Sequence, residues 1–83
     1  MLYSVEWTRR AEKQVSRLPL PLQERIVEAI TEYAENGQGD IRWLRGFAHE
    51  YRMRVGDWRI FFHKEGNHVI IRRIESRGGA YQE

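Results

Sequence analysis

The sequence predicts an α+β domain, and three observations predict it. Two amphipathic segments of helical period are joined by a proline-marked link, three later segments alternate as strands between short glycine turns, and one further alternating segment precedes them all. Eighty-three residues, 41% of them hydrophobic, suffice for one compact core, so residues 1–83 are read as a single domain.

Leu2 to Trp7 alternates as a strand, with Tyr3, Val5 and Trp7 on one side and Ser4 and Glu6 on the other. Thr8 is a good N-cap, and Ala11, Val15 and Leu18 recur at helical spacing before Pro19 and Pro21, which predicts a first helix of about three turns. Pro21 suits the first turn of a second helix, whose stripe Leu22, Ile26, Ala29, Ile30 and Tyr33 runs to a stop at Asn36-Gly37. Such a helical hairpin has a single apolar face and needs a sheet to cover it. From Asn36 to Glu50 three glycines and the basic pair Arg42 and Arg45 read as a long connection, pinned by Trp43 or Leu44. Strands are expected at Tyr51–Val55, Trp58–His63 and Val69–Glu75, joined at Gly56-Asp57 and Glu65-Gly66-Asn67 in an antiparallel meander. With the first strand they make a four-stranded sheet carrying the helices on one face.

Composition narrows the function classes. With no cysteine, thiolate metal sites, disulfides and a thiol nucleophile are excluded. No apolar run reaches the roughly 20 residues of a membrane span, and MLYSVEWTRR lacks the apolar stretch of a secretory signal, so a soluble cytoplasmic protein is expected. Residues 1–40 carry five Arg and Lys against seven Asp and Glu, whereas residues 41–83 carry nine against five. A basic C-terminal half is the footprint of a polyanion binder, although charge alone fits a solvated arginine-rich sheet face equally well.

Alternation sharpens the choice. Arg52 and Arg54 leave their strand on the side opposite Tyr51, Met53 and Val55, and Arg59 follows one turn later, so three guanidinium groups can converge. Permanently charged, planar guanidinium matches phosphate oxygens, which makes RNA or DNA the first substrate to consider. His63 shares parity with Arg59 and Phe61 and is a reserve acid–base group. Trp58 has the opposite parity and is expected in the core. Arg72 and Arg73, being adjacent, are expected on opposite faces, so at most one joins the cluster. No histidine pair has metal-ligand spacing, so neither metal nor other cofactor is expected, and NGQGD lacks the strand-then-helix context of a phosphate loop.

WLRGF at Trp43–Phe47, YRMRVGDWRIFF at Tyr51–Phe62 and RGGAY at Arg77–Tyr81, in this order of elements, resemble the RelE/ParE toxins of bacterial and archaeal toxin–antitoxin pairs, and the likeness covers nearly the whole chain. The resemblance implies one of two activities on one fold: metal-independent cleavage of messenger RNA in the ribosomal A site by the RelE-like branch, or inhibition of DNA gyrase by the ParE-like branch. A third possibility is an inactive paralogue that only binds antitoxin. For the RelE-like branch the resemblance assigns Arg59, Arg77 and Tyr81 to catalysis, and RNA contacts fall to Arg52, Arg54, Arg45 and His63. Partners implied are a cognate antitoxin, ribosomal RNA and the message. Tyr81 is left as either general base or base-stacking group. Many RelE-like toxins have lysine where this chain has Arg52 and Arg54; since arginine does not give up its proton, these two are expected to bind phosphate only.

Overall fold

The computed structural model describes residues 1–76. In chain order the elements are β1 (Ser4–Trp7), α1 (Arg9–Ser16), α2 (Leu20–Asn36), β2 (Asp40–Trp43), β3 (Glu50–Val55), β4 (Trp58–Glu65) and β5 (His68–Ser76). No helix among them is long and apolar enough to cross a membrane.

Thr8 caps α1 as its side chain predicts, its Oγ1 accepting the Ala11 N–H at 3.1 Å. The helix is shorter than three turns because Pro19 drives the residue before it out of helical geometry. The chain closes instead with tighter bonds, Arg17 N–H to the Gln14 carbonyl and Leu18 N–H to the Val15 carbonyl, so Leu18 still packs against the core. In α2, Pro21 falls in the first turn, where a missing N–H costs nothing. Gly37 stops the helix at φ 73°, donating its N–H to the Tyr33 carbonyl at 2.8 Å.

β3, β4 and β5 form the expected antiparallel meander. The sheet has five strands rather than four, in the order β1-β5-β4-β3-β2. Asp40–Trp43, expected as loop, pairs antiparallel with β3, Ile41 opposite Met53 and Arg42 opposite Arg52. β1 lies parallel to β5, with Val5 opposite Val69 and Trp7 opposite Ile71.

Ala11, Val15, Ile26, Ile30 and Tyr33 from the helices interlock with Met53, Trp58, Ile60, Phe62, Val69, Ile71 and Ile74 from the strands, so both helices cover one face of the sheet. Trp58 is buried, as parity required, while Trp43 is 55% exposed and donates its indole N–H to the Phe47 carbonyl at 2.8 Å, pinning the β2–β3 connection. Along the core, Phe62 packs between the rings of Tyr33 and Tyr51.

β5 carries a bulge. Phe62 faces Ile71 but Phe61 faces Arg73, leaving Arg72 as the extra residue. β1 has ended by then, so side chains serve this edge of β5 in place of a strand: the Thr8 hydroxyl donates to the Arg72 carbonyl at 3.0 Å, and Ile74 N–H donates to Gln14 Oε1 at 2.7 Å. One threonine thus caps a helix and closes a sheet edge.

Candidate nucleic-acid interface

The face of the sheet opposite the core carries no helix among the described residues. Residues on a strand alternate between faces, so burial of Met53, Trp58, Ile60 and Phe62 commits Arg52, Arg54, Arg59, Phe61 and His63 to this open side. Cross-strand register sorts them into rows. Asp40, Arg54, Arg59 and Glu75 make one; Arg42, Arg52, Phe61 and Arg73 make the next; Glu50, His63 and Ile70 make the third.

Arg52, Arg54 and Arg59 therefore share one face in adjoining rows, as alternation required. Arg54 and Arg59 stand directly opposite each other, as do Arg42 and Arg52, and like charges in such pairs destabilise a sheet unless an anion intervenes. Among the described residues neither Arg52, Arg54 nor Arg59 forms an ion pair. Glu75, opposite Arg59, is instead held by Arg73, whose Nε donates to it at 2.7 Å. The Arg52 Nε is buried with no hydrogen-bond partner among the described residues, a desolvated donor that costs about 1–3 kcal/mol. Beside the Gly56 turn, Arg54, Gly56, Asp57, Trp58 and Arg59 line a cleft of about 160 Å³. Gly56, at φ 59°, shapes that cleft; any side chain there would be strained and would press on the Arg25 guanidinium.

His63 occupies a different environment. Its Nδ1 lies 2.7 Å from Glu50 and its Nε2 2.9 Å from Glu65, and these two carboxylate bonds, Glu50 foremost, hold the imidazole pKa above its usual value. The same contact lowers the Glu65 pKa. With both ring nitrogens engaged by carboxylates, His63 presents no free lone pair to take a proton from a substrate in this arrangement. Glu50 also takes Arg72 at 3.1 Å, and the His49 ring lies 5.5 Å from that of His63.

Arg72 and Arg73 correct the sequence reading. Both reach the open face: Arg72 pairs with Glu50, and the Arg73 guanidinium lies 3.9 Å above the Phe61 ring. The bulge supplies the reason, because the extra residue shifts alternation by one and returns Ile74 to the core. Arg45 is exposed in the β2–β3 connection, off the rows, and Arg77 and Tyr81 lie outside the described residues. Arg42 and Arg73 were missed. The first needed β2 to be recognised as a strand, and the second needed the bulge, for which the run IIRRI at 70–74 holds no local signal.

Residues 5–81 match the family described as the ParE toxin of the type II toxin–antitoxin system parDE. Toxin RelE3 of Methanocaldococcus jannaschii is 31% identical over 75 residues, spanning 83% of this chain and 84% of that protein. In structure, the archaeal RelE–RelB complex from Pyrococcus horikoshii OT3 matches with a TM-score of 0.78 at 24% identity, over 96% of this chain and 100% of the other. The chromosomal ParDE system of P. aeruginosa matches with a TM-score of 0.73 at 19% identity, over 92% and 97%. At such identities the two structural likenesses speak to fold, and the fold is common to proteins named for either branch. With a family match spanning most of its length and a curated relative above 30% identity, the chain belongs to the RelE/ParE family and is the toxin component of a type II toxin–antitoxin system.

Proposed function

We propose that this toxin is a ribosome-dependent endoribonuclease that cuts messenger RNA in the A site without a metal. One observation carries the reading: Arg54 and Arg59 directly opposed, with Arg52 in the adjoining row, on a face that no described helix covers and where no described carboxylate pairs with them. The RNA brings its own nucleophile. Its 2′-hydroxyl loses a proton and attacks the adjacent phosphorus, the bond to the 5′-oxygen breaks, and that oxygen takes up a proton, leaving a 2′,3′-cyclic phosphate and a 5′-hydroxyl. Arg59 holds the non-bridging oxygens as negative charge builds, and Arg52 and Arg54 bind the strand by its phosphates. Arg77 stabilises the leaving oxygen as a charge, since a guanidinium releases its proton reluctantly. By the family resemblance the general base is assigned to Tyr81, because both nitrogens of His63 are already engaged.

So small a protein cannot shape its substrate alone, and ribosomal RNA would fix the codon in an attack-ready geometry. Translation of a defined message tests this. Wild type should cut the A-site codon while Arg59→Ala and Arg77→Ala should not, and equal cleavage by all three removes the mechanism. Its antitoxin partner would place an acidic segment against the basic face formed by residues 41–83. The family match to ParE toxins favours a second reading, in which the same scaffold binds gyrase and performs no chemistry. Inhibition of supercoiling without RNA cleavage would establish that alternative.

A further inference from the structure

Resting on the endoribonuclease reading, we propose that Arg73 and Phe61 form a stacking platform that seats one nucleobase of the RNA beside the phosphate held by Arg54 and Arg59. Phe61 is half-buried on the open face, and the Arg73 guanidinium lies 3.9 Å above the centre of its ring. The bond to Glu75 at 2.7 Å fixes the guanidinium from its Nε side, and the side chain remains 37% exposed. A planar cation seated over an aromatic ring, with its side chain partly exposed, is a support on which unpaired bases stack.

Position reinforces chemistry. Phe61 stands two residues along β4 from Arg59 on the same face, a rise of about 6.7 Å, so the platform lies next to the Arg54–Arg59 pair. On its other side Phe61 faces Arg52, so the platform is flanked by a guanidinium whose charge suits the next phosphate. The arrangement exists only because of the bulge. In a regular ladder Arg73 would follow Ile71 into the helix-covered core and Ile74 would emerge in its place.

The test is binding of a short single-stranded RNA carrying 2-aminopurine at one position and 2′-deoxy sugars to block cleavage. Wild type should quench the fluorescent base on binding. Arg73→Lys, which keeps the charge and removes the plane, should lose the quench and bind about five- to a hundredfold more weakly, with the salt dependence of binding unchanged. Phe61→Leu, checked for folding by thermal melting, should lose the quench too. Binding by wild type without quenching, no binding by wild type, or a quench by Arg73→Lys equal to wild type would each overturn the platform. A-site cleavage of native message by wild type is scored separately. A quench without cleavage supports the platform and removes the endoribonuclease, whereas cleavage without a quench does the reverse.

Discussion

The two ends of the open sheet face carry similar side chains in opposite electrostatic states. Near the Gly56 turn, Arg54 and Arg59 stand opposite each other with Arg52 in the adjoining row and no described ion pair, whereas near the Gly66 turn Arg72 and His63 share Glu50, and His63 also holds Glu65. Proximity of a carboxylate in register does not explain the difference. Glu75 stands opposite Arg59, yet it is bound by Arg73, its neighbour two residues away along β5. The lesson is that a basic surface becomes an anion site only where its acids are engaged elsewhere, since a guanidinium already neutralised gains little from a phosphate. One end of the face keeps its charge without a described partner, and the other is a clamp between β3, β4 and β5.

The comparison breaks most visibly at Arg59. Arg59→Ala should reduce A-site cleavage by about a hundred- to a thousandfold, as for loss of a preorganised oxyanion donor, while thermal melting shows stability within about 0.5 kcal/mol of wild type. A large loss of stability would show that this end is a clamp as well. At the other end the expectation reverses. Glu50→Ala removes the carboxylate shared by His63 and Arg72 and should cost about 1–2 kcal/mol in chemical denaturation, with RNA binding no weaker than wild type because Arg72 is released.

A smaller effect separates the ends by pH. The folded His63 pKa is raised above the ordinary histidine value, so its contribution to stability is fully present below about pH 6.5 and is lost as pH rises through the elevated folded value. Denaturation midpoints of wild type and His63→Gln should therefore differ most in mild acid and converge as that value is passed; parallel curves at every pH would exclude the imidazolium clamp. The smallest effect is in salt dependence. Arg54→Ala should lower the slope of log affinity against log salt for single-stranded RNA by about 0.7, the share of one phosphate, and Arg72→Ala should leave it unchanged. Equal slopes for the two variants would erase the distinction between paired and unpaired ends.

Most of the fold could be read because its signals are local. Thr8, Pro21 and Gly37 mark helix ends by backbone chemistry that neighbouring residues alone impose, and Gly56 and Gly66 do the same for the two hairpins. β2 escaped because DIRW alternates over only four residues and Trp43, which shares the side of Ile41, stays exposed, so its membership in the sheet shows only in the pairing with β3. In the site, the positions of Arg52, Arg54 and Arg59 followed from parity, while the sides of Arg72 and Arg73 were misjudged because parity assumes an unbroken ladder.

The sequence by itself determined which residues of each strand share a face, and with it the meeting of three arginines across one turn, because alternation is a property of a few consecutive residues. Tertiary structure alone decided which strands pair, where β5 bulges and which acid neutralises which base. Those outcomes depend on register between segments far apart in the chain, and register is set by how the sheet fits its helices.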